Sequence, residues 1–140
     1  MSRIFWDTNL FIYLIEDYGD LSERVAQLRK RMIERGDDLY TSALTLGEIL
    51  VKPLEARDEV LGRRYEAALR QGASIIPFDV EAARLYAGIC KDRTIRPPDA
   101  MQLACAAQAR VDLFITNDER LSTRSITRIQ FVSSLQRAFL

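Results

Sequence analysis

Asp7, Glu48, Asp99 and Asp118 are the residues whose types and surroundings best suit chemistry, and the chain contains no histidine to assist them. The missing imidazole excludes Ser-His-Asp and Cys-His nucleophilic catalysis, histidine acid–base steps and zinc sites that need a nitrogen ligand. Any reaction near neutral pH must therefore run on carboxylates, most simply with a bound cation. Asp7 directly follows the apolar run Ile4-Phe5-Trp6, and Asp118 follows Leu113-Phe114-Ile115-Thr116-Asn117. Asp99 comes after Pro97-Pro98 and opens a helical pattern rich in alanine. Each of these three aspartates also has an ordinary explanation as a helix cap, a turn residue or a first-turn acid.

Glu48 is harder to explain as structure alone. A helical wheel over Ala43–Val51 puts Leu44, Glu48 and Val51 on one face and Leu46, Ile49 and Leu50 on the other. The spacing predicts a partly desolvated carboxylate, which is costly when unpaired. A surface pair with Lys52, four residues on, would contribute only about 0.3–0.5 kcal/mol. Four converging anions repel one another, which raises some of their pKa values unless a cation relieves the repulsion. An all-oxygen donor set selects Mg²⁺ or Mn²⁺ over zinc, and Mg²⁺ favours a few carboxylates plus substrate phosphate. That points to phosphoester chemistry.

The elements that must position these acids alternate in type. Strand-like runs fall at Arg3–Trp6, Leu39–Thr41, Ser74–Phe78, Leu113–Thr116 and Gln130–Val132. Helical patterns fall at Leu10–Ile15, Leu21–Arg35, Leu44–Lys52, Leu54–Gln71, Val80–Lys91 and Ala100–Val111, with Gly36 as a helix stop. Such alternation predicts an α/β sandwich around a mainly parallel sheet, with ligands bound beyond the carboxyl ends of the strands. Ala100, Ala104 and Ala107 would let the last helix lie close to that sheet and press Asp99 against the strand ends.

Length and composition set the remaining bounds. The chain has 140 residues, enough for a single domain over 1–140, and its 20 Lys and Arg balance 20 Asp and Glu. Basic surface must therefore be local. Cys90 and Cys105 lie in apolar helical stretches and read as reduced core thiols. No stretch is long enough for a membrane span and no cleavable leader pattern is visible, so a cytoplasmic protein is expected.

At its four acids the sequence resembles the PIN domain family, and within it the VapC-type toxins of toxin–antitoxin pairs. The matching pieces are Phe5-Trp6-Asp7-Thr8-Asn9, Thr45-Leu46-Gly47-Glu48-Ile49, Pro98-Asp99-Ala100-Met101-Gln102-Leu103-Ala104 and Thr116-Asn117-Asp118, in family order. The resemblance implies a three-layer α/β/α sandwich with a five-stranded sheet in the order 3-2-1-4-5, which sets the first and fourth strands side by side. It implies a Mg²⁺-dependent endoribonuclease whose catalytic and metal-binding quartet is Asp7, Glu48, Asp99 and Asp118. Thr8, Asn9, Thr116 and Asn117 would support those acids or position water, and Gln102 reads as ordinary variation. A cognate antitoxin and a homodimer are the partners it implies.

An RNA substrate needs cations near the acids. Lys91-Asp92-Arg93-Thr94-Ile95-Arg96 leads into Asp99, and no acid follows Arg120. Arg93, Arg96 and Arg120 are accordingly expected on phosphate. Competing readings are a nuclease without an antitoxin, acting on RNA or DNA, and a silent module that binds RNA or protein. A phosphotransferase using Asp7 as nucleophile ranks lower, because Asn9 stands where its second acid would be.

Overall fold

The computed structural model describes residues 1–138 and 140. Five parallel strands form one sheet in the order β3-β2-β1-β4-β5: β1 (Arg3–Trp6), β2 (Asp38–Ser42), β3 (Ser74–Ile76), β4 (Leu113–Thr116) and β5 (Phe131–Ser134). The expected strand order is what the structure has, and the sheet is parallel throughout.

Side-chain alternation along β1 explains the layers. Ile4 and Trp6 join a core with Leu10, Val25, Met32 and Ile49, supplied by α1 (Thr8–Ile15), α2 (Asp20–Arg35) and α3 (Ala43–Glu55). Leu69 of α4 (Glu59–Gly72) completes that side. Phe5 points the other way, into a core with Ala82 of α5 (Val80–Ile89) and Ala100, Leu103 and Ala107 of α6 (Pro97–Gln108). There it stacks on Phe114, with ring centroids 5.2 Å apart. The short strands are apolar because both faces of the sheet are covered.

Several element boundaries differ from the sequence expectation, each for a local reason. β3 stops at Ile76 because Pro77 has no N–H to continue the ladder. The segment expected as one helix over Leu54–Gln71 is broken. α3 runs through Pro53 to Glu55, Arg57 takes a left-handed φ of 55°, and Asp58 restarts the chain by capping Leu61 N at 3.0 Å. α6 begins three residues earlier than expected, with Pro97 and Pro98 at positions where a missing N–H is harmless, and ends before Val111. Gly36 closes α2 at φ 73°, as expected.

Cys105 is buried in α6, where burial, with a smaller push from Asp79, raises its thiol to about 12. Cys90 is only half-buried at the end of α5, so it is less a core thiol than expected; both are free. Among the described residues no helix is long and apolar enough to cross a membrane.

Candidate active site

The register of the central strand decides where the acids meet. β1 pairs with β4 through Trp6 and Ile115, and the Asp7 amide continues the seam by donating to Ile115 O at 3.0 Å. Asp7 therefore emerges at the carboxyl end of the sheet beside Thr116, where it caps α1. Its Oδ1 accepts the Thr8 amide at 2.8 Å and the Gln102 Nε2 at 3.3 Å, while Oδ2 accepts the Thr116 hydroxyl at 2.8 Å. The residue is only 7 % exposed. Burial raises its carboxyl above the ordinary value, against the bonds from Thr116, Thr8 and Gln102, and the charge of Glu48 raises it further.

Glu48 reaches this cluster from α3, through a hydroxyl. Thr8 Oγ1 donates to Glu48 Oε1 at 2.8 Å and lies 3.0 Å from Thr45 Oγ1. The expectation of a carboxylate desolvated between Leu44 and Val51 is not met. Glu48 is exposed, Val51 is 48 % exposed, and that face of α3 borders a groove of about 350 Å³ lined also by Thr8, Ile12 and Tyr65. Ile49, on the opposite face, is the part of the helix that packs into the core. Lys52 turns away to Glu16 at 2.8 Å, so Glu48 has no lysine partner of its own there.

Asp99 stands in the first turn of α6, half-buried. Burial raises its carboxyl, the charges of Asp7 and Asp118 raise it further, and Arg96 and Arg120 pull it back. Asp118 shifts the other way. The Arg120 guanidinium grips it through Nε to Oδ1 at 3.1 Å and Nη2 to Oδ2 at 2.9 Å, which lowers its pKa despite partial burial. One hydroxyl links the two sides of the site: Thr116 Oγ1 donates to Asp7 and accepts the Asp118 amide at 3.0 Å.

The polar residues named beside the acids divide into two pairs. Thr8 and Thr116 touch carboxylates. Asn9 and Asn117 instead hold one another's segments: Asn117 N donates to Asn9 Oδ1 at 3.4 Å, and Asn117 Nδ2 donates to Tyr13 Oη at 2.8 Å. Of the expected phosphate contacts, Arg93 and Arg96 are exposed, and Arg120 is exposed but committed to Asp118. Gln102 is no ordinary variation. It is 2 % exposed and bonds to Asp7, Thr8 and Thr45. Its signal in the sequence was a primary amide in a run of alanine, leucine and cysteine, one turn beyond Asp99.

The donor chemistry fits a hard cation. The acids offer oxygen alone, and two of them are burdened by mutual repulsion that a divalent ion relieves. Among the described residues no three acidic or sulfur side chains are gathered tightly enough to enclose an ion by themselves.

The PIN domain family model matches residues 4–126, which includes all four acids. The chain belongs to the PIN domain family. Its fold is shared by solved structures of low identity. VapBC2 from Rickettsia felis, bound to a DNA fragment from its promoter, is 15 % identical, with a TM-score of 0.70 over 94 % of this chain and 98 % of that one. VapBC-1 from nontypeable Haemophilus influenzae is 16 % identical, with a TM-score of 0.70 over 96 % and 99 %. DNA-bound VapBC from Salmonella typhimurium is 22 % identical, with a TM-score of 0.62 over 96 % and 99 %. Comparison with curated protein sequences gives no match. In this PIN domain Asp7 and Asp118 follow β1 and β4, the adjacent strands at which the chain changes direction across the sheet, while Glu48 is carried by α3 and Asp99 by α6.

Proposed function

We propose that this PIN domain is a Mg²⁺-dependent endoribonuclease (Mn²⁺ being an alternative ion) and the toxin of a type II toxin–antitoxin pair. The observation that carries the reading is the convergence of acids at one end of the sheet: the Thr116 hydroxyl bridges Asp7 to the Asp118 amide, Thr8 links the Asp7 turn to Glu48, and Asp99 is close enough to feel the charges of Asp7 and Asp118. Carboxylates clustered in this way suit a divalent cation. The structural relatives, described as VapBC and toxin–antitoxin assemblies, support the toxin role.

Asp7, Glu48, Asp99 and Asp118 would hold the ion, directly or through water. Bound Mg²⁺ supplies the charge that activates water at neutral pH and steadies the scissile phosphate. Asp7 is fixed for this by three donors, so its carboxylate does not have to reorganise when substrate arrives. Thr8 aims its proton at Glu48 and leaves the other Glu48 oxygen open to the groove. Arg93 and Arg96, at the mouth of α6, would take the flanking phosphates, and Arg120 would serve the same strand from beside Asp118.

Attack by water rather than by the ribose 2′-hydroxyl leaves a 5′-phosphate and a 3′-hydroxyl. End-group analysis of cleaved RNA tests the reaction: cyclic 2′,3′-phosphate, or full activity in excess EDTA, sinks it. Growth arrest on expression, relieved by a small co-expressed partner encoded beside it, tests the toxin role. Cleavage without arrest leaves a nuclease that has no antitoxin. The apolar surface of α1, where Leu14 is 42 % exposed, is available to a partner or to a second copy.

A further inference from the structure

Gln102 is the largest buried polar side chain near the acids, and the reaction proposed above does not use it. A primary amide at 2 % exposure is costly unless its groups are bonded, and a leucine there would pack between α6 and the sheet without that cost. Every polar atom of the amide has a partner. Nε2 stands 2.8 Å from Thr45 Oγ1, 2.9 Å from Thr8 Oγ1 and 3.3 Å from Asp7 Oδ1, while Oε1 accepts the Ser42 hydroxyl.

These partners decide which way the amide faces. An ionised carboxylate only accepts, so the nitrogen must be the end turned toward Asp7. Ser42 Oγ already accepts the Thr45 amide at 3.4 Å and has its own proton to give to Oε1. With Thr8 Oγ1 receiving an N–H from Gln102, its single proton goes to Glu48 Oε1. The amide thus ties together residues from the end of β1, the β2–α3 junction and α6.

We propose that Gln102 is a positioning residue: it locks Asp7 and Thr8, and through Thr8 orients Glu48, as one hydrogen-bonded unit for cation binding. This rests on the reading of those acids as the cation site. Replacing Gln102 removes no group that touches the ion or the RNA, yet it frees the groups that do.

The decisive comparison is Mn²⁺ titration of metal-free wild type and Gln102→Met, followed by electron paramagnetic resonance without RNA. Methionine keeps the volume and removes the amide. Mn²⁺ affinity should fall about 10–100-fold, as it does when support behind metal ligands is lost, with kcat reduced and KM for RNA unchanged. Gln102→Glu supplies the second arm. While neutral, the buried acid still has a proton to donate. Once ionised it has none and repels Asp7, so its cleavage should fall as pH rises, where Gln102→Met is uniformly low.

Wild-type Mn²⁺ affinity in a folded Gln102→Met overturns the proposal. If Gln102→Met does not fold, a Gln102→Glu profile that follows wild type does so instead. A wild type that binds Mn²⁺ without cutting RNA removes the ribonuclease reading alone, and the affinity comparison still decides Gln102. A wild type that binds no Mn²⁺ overturns both.

Discussion

The Thr116 hydroxyl donates to Asp7 Oδ2 across the β1–β4 seam at 2.8 Å, at a position with no solvent access. A buried carboxylate gains little from water, so this bond is a large part of what keeps Asp7 ionisable. The same oxygen receives the Asp118 amide, which makes Thr116 the joint between two acids that are far apart in the chain but adjacent in space.

 Thr116→Val should push the Asp7 carboxyl higher still and lower Mg²⁺-dependent cleavage about 10–100-fold. Loss of a bond to a charged group also costs about 1.5–3 kcal/mol of stability when Asp7 is ionised. Thr116→Ser keeps the hydroxyl and should stay near wild type; equal losses in both variants would assign the effect to packing instead.

The raised pKa values of Asp7 and Asp99 give stability a definite pH dependence. The folded chain holds their protons more tightly than the unfolded chain, so stability falls as pH rises from the ordinary value of 3.8 through their raised values, and the penalty persists at neutral pH. Asp118, lowered by Arg120, acts oppositely: its contribution is present above 3.8 and is lost as pH falls through its lowered value. Metal-free protein should therefore gain thermal stability on acidification from neutral pH toward that window. Asp7→Asn should be more stable than wild type at neutral pH without metal, and Mg²⁺ should stabilise wild type more than the variant. Thermal unfolding in EDTA and in Mg²⁺ across pH checks this, and an Asp7→Asn curve matching wild type under both conditions counts against it.

Much of this was legible in the sequence because the strands are short, apolar and followed at once by an acid. Ile4-Phe5-Trp6 and Leu113-Phe114-Ile115 marked both β1 and β4, and with them the positions of Asp7 and Asp118. What periodicity could not convey was the surroundings of single side chains. Glu48 falls between Leu44 and Val51 on a wheel, but whether that face meets the core or a groove depends on how α3 packs against α1. Gln102 reads as ordinary variation in the sequence because its partners Ser42 and Thr45 lie about sixty residues away, where no local pattern connects them. The break at Arg57 depends on a left-handed residue other than glycine, which sequence gives little means to foresee.

Arg120 and Arg96 should separate in their effects. Arg96 has no carboxylate bonded to its guanidinium among the described residues and acts on Asp99 and Asp118 through its charge. Arg96→Gln should weaken RNA binding evenly across sequences and reduce the salt slope by about 0.7 for a single strand. Arg120→Gln should do this and also release Asp118, moving its carboxyl back toward the ordinary range and shifting the acid limb of the cleavage profile upward. Arg120 is exposed and Asp118 only partly buried, so neither substitution should change stability by more than about 1 kcal/mol. Binding at several salt concentrations, with the pH profile beside it, distinguishes the two arginines; identical profiles would remove the special role of the Asp118 contact.

The closeness of α6 to the sheet yields the last prediction. Ala100 has no exposed surface and immediately follows Asp99, so the position of the Asp99 carboxyl depends on a methyl-sized side chain packed in the core beneath the first turn of α6. Ala100→Leu forces three more carbons into a packed seam and should cost about 1–3 kcal/mol. It should also lift the first turn of α6 and with it Asp99, away from Asp7 and Asp118, lowering the repulsion that raises the Asp99 carboxyl. Ala107→Leu overpacks the far end of the same helix with a similar stability cost, yet leaves the first turn in place. The pair therefore separates stability from site geometry: both should lower the unfolding midpoint, but only Ala100→Leu should weaken Mn²⁺ binding. Equal Mn²⁺ affinities in the two variants would mean that the depth of α6 does not set the position of Asp99.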